Sequence, residues 1–235
     1  MSEGWFTLFA EAMTLLVSLD QELWSIIKVS FQVSLFALML TIVPCLLLGF
    51  VLAFSQFRGR WLLTSTIQTM QSVPTVVIGL LVYILLTRQG PLGDLQWLFT
   101  QKAMVLGQIL ICVPILISLS QGAFTHIDKR VWETSRTLGR NVLSSILLCC
   151  RELKVPLLLT VITAFSRIIT EVGCSMMVGG NILNATRNIP TAIALETSKG
   201  QFAQAVALGM VLLLLSLVLN LLLSTMRGHA QVRSY

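Results

Sequence analysis

Few side chains in this sequence could do chemistry, and they fall into three groups. Arg167 and Glu171 stand four residues apart inside a long apolar run, hence on one face of a helix. Ionised groups in such surroundings are expensive and default to a functional reading. The pair could mark a position along a pathway or gate, or lock its helix to a neighbour; both readings stand. In the second group Ser65, Thr66, Gln68, Thr69, Gln71 and Ser72 fill the first half of another apolar segment. The other half, from Val73 to Leu86, starts with Pro74 and is almost purely apolar. Unsatisfied polar groups are costly in lipid, so the polar half should face protein or a wet cavity.

The third group is the polar island Trp132, Glu133, Thr134, Ser135, Arg136, Thr137, Leu138, Gly139. Asp128 is a candidate N-cap for a short helix through Leu138, and Gly139 suits the left-handed residue that ends one. A short helix between two turns makes a rigid knob that can enter a partner's cleft. Trp132 and Leu138 would be its apolar anchors, Glu133 and Arg136 its polar contacts. An ordinary loop whose positive charge sets topology is the alternative from spacing alone.

The elements that position these groups follow from composition. Mean hydropathy is +0.86, with 55% hydrophobic and 11% charged residues. A soluble domain carries about 25% charged residues. Windows of more than about 18 apolar residues read as bilayer spans. Five are expected: Val29 to Phe54 with a kink at Pro44, Leu62 to Thr87, Ala103 to Leu119 with Pro114 inside, Pro156 to Val178, and Phe202 to Met226. Trp5 to Leu19 is short and amphipathic, which suits a helix lying at the interface. Gly179 to Pro190 reads as a loop or re-entrant element. The fold class is therefore an all-α membrane protein of about five transmembrane helices, with 1–235 as a single membrane domain. Within it, 1–24 is an N-terminal interfacial segment, 121–155 a cytoplasmic loop with its flanking helices, and 227–235 a short tail.

Basic residues set the expected orientation. Ten lie on one side, from Arg58 and Arg60 through the island to Arg227 and Arg233. Five lie on the other: Lys28, Arg88, Lys102, Arg187 and Lys199. The island and the C-terminus should then be cytoplasmic and the N-terminus outside, in an inner, cell-bounding membrane. The net charge of +6 is explained by this asymmetry, and no nucleic-acid partner is expected. The sequence starts MSEGWF, without a basic n-region, so a cleavable signal peptide is not expected. Cys45, Cys112, Cys149, Cys150 and Cys174 lack CxxC spacing or nearby histidine pairs and read as small core hydrophobes, not metal ligands. No Gly-x-x-x-x-Gly-Lys-Ser/Thr occurs, so this chain should not bind ATP by a P-loop. Asn184-Ala-Thr186 matches a glycosylation acceptor, read as a chance match.

Glu133-Thr-Ser135 followed by Gly139 resembles the motif, Glu-Ala-Ala then Gly, by which permease subunits of ABC importers dock on their ATPase. Pro156 departs from that pattern: it stands 17 residues after Gly139, about one helical turn too far. A second patch, Arg167-Ile-Ile-Thr-Glu171-Val-Gly173 through Gly179-Gly-Asn181, then Thr186-Arg187 and Ala192 to Ser198, is similar to the molybdate/tungstate branch. Pro74-Thr-Val-Val-Ile-Gly-Leu-Leu-Val-Tyr83 with Gly90-Pro-Leu-Gly93 resembles tungstate-type permeases in particular. The likeness runs from about Leu23 to Leu223.

That resemblance implies a type I importer permease working as a homodimer by alternating access. The island would be the coupling helix, seated on a cytoplasmic ATPase dimer that binds ATP and Mg, so this chain would carry no cofactor and no catalysis. An extracytoplasmic solute-binding protein would deliver a tetrahedral oxyanion. Glu171 would repel a dianion and is a poor ligand. An anion route needs donors and few fixed cations, and Ser65, Gln68, Gln71, Ser72, Asn181, Thr186 and Arg187 are candidates to line it, beside the pathway or gate pair Arg167 and Glu171. Gly173, Gly179 and Gly180 would permit close helix approach or a tight turn at the mouth. An importer of molybdate, sulfate or another small solute, or a secondary transporter or channel, is the alternative. The latter would show inverted repeats and more midplane ionisable groups.

Overall fold

The computed structural model describes residues 2–18 and 20–232. Among these the regular elements are helices, with no strand. In chain order they are α1 (Ser2–Val17), α2 (Gln21–Phe54), α3 (Arg60–Met70), α4 (Thr75–Leu86), a 3-10 turn at Gly93–Leu95, α5 (Gln101–Thr125), α6 (Lys129–Thr137), α7 (Val142–Glu152), α8 (Lys154–Ile169), α9 (Gly173–Gly179), α10 (Ile189–Lys199) and α11 (Phe202–Val232).

Three helices, α2, α5 and α11, are each long and apolar enough to cross a membrane. The pairs α3 with α4 and α8 with α9 make up to two more, bent by 98° and 58°. The second and fourth expected spans are thus broken rather than continuous. The first break sits at Pro74, which offers no N–H and pushes Val73 out of helical geometry. The second lies at Thr170–Val172, just before Gly173. By contrast, α2 and α5 run on through Pro44 and Pro114. Asp20 starts α2 eight residues before Lys28, its carboxylate accepting from Leu23 N at 2.9 Å.

The core is built on α2 against α5, with α4, α8 and α9 packed around them. Val33, Ala37, Cys112, Leu116, Ala164 and Ile168 are buried at its centre. A second cluster joins α1, α2, α10 and α11 through Ala12, Leu23, Ile26, Ile189 and Leu208. This is what holds α1: a helix of 16 residues lies against α11 with Ala12 fully covered. Leu19, and 233–235 of the tail, fall outside the described residues.

The Gly179 to Pro190 stretch ends in a helix, α10, whose start is written in its own side chains. Asn188 and Thr191 form a reciprocal capping box with Pro190 in the first turn. Leu153 also interrupts what would have been one long helix into α7 and α8. Pro156 falls in the first turn of α8, where its missing N–H is harmless.

Candidate functional site

The island forms the knob. Asp128 Oδ1 accepts from Arg130 N at 2.9 Å and starts α6. Gly139 closes it with φ +76°, a left-handed value, while its N–H donates to the Arg136 carbonyl at 3.1 Å. Arg136 Nη1 donates to the Arg140 carbonyl at 2.8 Å, and Asn141 caps α7 through Ser144 N at 2.8 Å. The turn between α6 and α7 is therefore fixed from both sides.

The island's side chains divide into two sets. Trp132 packs inward on Phe54, ring centroids 5.6 Å apart, and on Phe50, which in turn meets Phe124 edge-on at 5.3 Å. Ser135 is buried and shares a 2.8 Å hydrogen bond with Ser145 of α7. Ser135 is closed off and Trp132 is half-buried against α2, so of the two expected apolar anchors Leu138, 76% exposed, is the one that faces fully out. Glu133, Thr134, Arg136 and Gly139 are exposed with it. In α7 burial pushes the Cys149 thiol pKa up, and that of Cys150 as well.

On α3 no residue is buried. Gln68, Gln71 and Ser72 are exposed and Ser65 half-buried. Thr66 and Thr69 turn back to carbonyls of their own helix. Across to α5 there are two long hydrogen bonds, Gln71 Nε2 to the Pro114 carbonyl at 3.5 Å and Gln121 Nε2 to Thr64 Oγ1 at 3.4 Å. This chain alone leaves the polar half-span uncovered.

Arg167 Nη1 donates to Glu171 Oε2 at 2.8 Å. The Glu171 side chain is 4% exposed and that of Arg167 46%. The second Glu171 oxygen accepts from Cys174 N at 3.3 Å, so one carboxylate ties the end of α8 to the start of α9. The two broken spans touch at their breaks: a Cβ on Gly173 would lie 2.6 Å from Val76 Cγ2 and 3.2 Å from Thr75 Oγ1. Gly79, which the sequence reading passed over, is equally constrained, since a Cβ there would lie 2.9 Å from Cys174 Cα. A helix-face reading of small residues would have flagged it.

Asn181, Thr186 and Arg187 gather elsewhere, in the loop before α10. Thr186 Oγ1 donates to the Gly179 carbonyl at 2.5 Å and accepts from Ile182 N at 3.0 Å. Asn181 Nδ2 reaches the Thr191 carbonyl at 3.3 Å. Gly180 has φ +69° against the Phe99 ring. Arg187 pairs with Glu22 of α2 at 3.2 Å and stands 3.8 Å from Glu196 of α10, which Lys199 also meets at 3.0 Å. Glu22 could not be foreseen as a partner, because it lies 165 residues from Arg187; Glu196 is only nine residues away and comes close because α10 starts just after Arg187. Thr186 and Arg187 are turned into this structure and not toward α3 or Arg167. Among the described residues no group of three or more His, Cys, Asp or Glu could hold a metal ion.

Comparison with known proteins places this geometry. Residues 45–229 match the family described as "Binding-protein-dependent transport system inner membrane component". The tungstate uptake system permease protein TupB of Peptoclostridium acidaminophilum is 41% identical over 212 residues, covering 90% of this chain and 93% of that one. TupB of Campylobacter jejuni is 36% identical, covering 90% and 89%. Among solved structures, the MetNI methionine ABC transporter in an inward-facing conformation superposes with a TM-score of 0.64 at 14% identity, over 96% of this chain and 99% of that one.

Proposed function

The chain belongs to the inner membrane components of binding-protein-dependent transport systems, and we propose that the anion it passes is tungstate. It has the fold of a type I ABC importer permease and is the permease subunit of an ABC importer. The choice of tungstate rests on one observation: identity of 41% and 36% to two tungstate uptake permeases across nine-tenths of the chain.

In this reading two copies form the pathway, each uncovered α3 facing the other across water. Ser65, Gln68, Gln71 and Ser72 offer neutral donors along it, weak enough to let the ion leave. Arg167 stands at the bend of α8 and α9 with its charge balanced by Glu171. The passing anion meets the outward-turned guanidinium, while the carboxylate stays behind it. Asn181, Thr186 and Arg187 shape the mouth by fixing the loop to α2 and α10. No ATP is bound by this chain. A partner ATPase dimer, with ATP and Mg, closes on the exposed face of α6, and the motion passes through Trp132 to α2. The island end is cytoplasmic and the Arg187 end receives the binding protein, by the ten-to-five division of basic residues.

The test is to reconstitute the permease with its ATPase and binding protein and measure ATP hydrolysis with tungstate, molybdate or sulfate. Stimulation strongest with tungstate is expected. Stimulation by another solute would correct the anion and keep the class. Uptake without any ATPase would replace the reading with a secondary transporter.

A further inference from the structure

We propose that the groove between α2 and α5 is a binding site for one anionic phospholipid, its acyl chain in the groove and its phosphate at Lys102. The groove encloses 630 Å³. Its walls are two facing ridges at helical spacing: Gln32, Phe36 and Leu40 on α2, and Lys102, Leu106 and Ile109 on α5. From Lys102 to Ile109 the depth is about 10 Å, the reach of the upper part of an acyl chain. Polarity changes along it in one direction. The three polar lining residues, Gln32, Gln101 and Lys102, stand at the end where α5 begins, and everything deeper is apolar.

Lys102 is placed for an anion. It is exposed and forms no ion pair among the described residues. Its Nζ sits 5.8 Å from the centre of the Trp97 ring, a contact that holds the ammonium at the rim without neutralising it. It also lies in the first turn of α5, where a cation opposes the helix dipole and where Thr100 supplies no side-chain cap. A phosphate there would relieve both. Gln101 is already engaged, donating to the Ala185 carbonyl at 2.8 Å, which leaves Gln32 as the neutral donor across the mouth. A second copy of this chain suits the groove less well. It carries the same net charge of +6, and at that end Glu22 and Glu196 are both within 4 Å of Arg187.

The experiment places a photoreactive benzoylphenylalanine at position 36 of the whole permease, in phosphatidylcholine vesicles with and without phosphatidylglycerol, and weighs the irradiated protein intact. A one-phospholipid adduct is expected, with phosphatidylglycerol favoured about fivefold at equal mole fraction, the worth of one basic residue at an anionic headgroup. Lys102→Gln should erase that preference and Lys102→Arg should keep it. Equal labelling by both lipids, or a preference indifferent to Lys102→Gln, would reduce the groove to ordinary boundary lipid and overturn the proposal. A cross-link to a second copy of the chain would overturn it in favour of a protein interface, and so would the absence of any adduct.

Discussion

The Trp132 ring lies 5.2 Å from that of Phe50, centroid to centroid, tilted by 58°. One residue belongs to the short helix α6, proposed to dock the ATPase, the other to the 34-residue helix α2 at the heart of the core. Phe54 stacks on Phe50 at 4.5 Å and meets Trp132 as well, at 5.6 Å, so the three rings form one cluster. A displacement of α6 therefore cannot stay local, because close-packed aromatic rings transmit shifts rather than absorb them.

Trp132→Ala should separate docking from coupling. The exposed face formed by Glu133, Arg136 and Leu138 is untouched, so the ATPase should still copurify. The vacated space under α6 should cost about 2 kcal/mol, below the range for fully buried tryptophan, and substrate-stimulated ATP hydrolysis should fall by about tenfold. Trp132→Phe should restore most of it. Stimulation unchanged in the alanine variant would show that α2 is driven by another contact.

Gly139→Pro tests the knob's shape. Proline holds φ near −65°, against the observed +76°, and it removes the N–H that donates to Arg136. We expect stimulated hydrolysis to be abolished with the protein still inserted and dimeric. Gly139→Ala, which tolerates a left-handed backbone at a penalty of about 1 kcal/mol, should be milder. Glu133→Lys, a change on the exposed face alone, should also abolish stimulation. Normal stimulation in both Gly139→Pro and Glu133→Lys would exclude α6 as the docking element.

These two predictions show what the chain made legible. The knob was written locally: Asp128 caps, Gly139 turns, and a run of polar residues lies between apolar spans. The five spans were equally plain from hydropathy. What hydropathy could not carry was direction within a span, so the bends before Thr75 and Gly173 were hidden in runs that look continuous. Composition does not say which face of a nine-residue helix meets its own protein, so the packing of Trp132 on Phe50 and Phe54 was not legible. The closed surroundings of Arg187 were hidden because Glu22 arrives from 165 residues away, and Glu196, nine residues on, comes near only once α10 has formed.

Arg167 and Glu171 admit a test that separates pathway from lock. Removing the arginine alone leaves a buried carboxylate with one partner fewer, and Arg167→Gln should lower stability by about 3 kcal/mol. Replacing both with glutamine should recover much of that loss, because the buried charge is gone. If the guanidinium serves the anion, transport stays defective in the double variant although thermal stability returns. Transport that recovers along with stability would make the pair a lock and nothing more.

Arg187 should behave differently, because its surroundings are closed. Its side chain is 11% exposed and that of Glu196 is 1%, so salt screens this group poorly. Arg187→Ala would strip Glu22 of its partner and leave Glu196 with Lys199 alone. A loss of about 3–5 kcal/mol is expected for breaking a buried pair, read as a lower midpoint of thermal unfolding in detergent. The decrease should be nearly the same in low and high salt. Glu22→Gln, which removes a half-exposed partner, should cost about 1 kcal/mol or less. The order matters more than the sizes: should Glu22→Gln prove the more damaging of the two, the join between α2 and α10 would depend on the outer pair, and the buried Arg187 and Glu196 would be passengers in it.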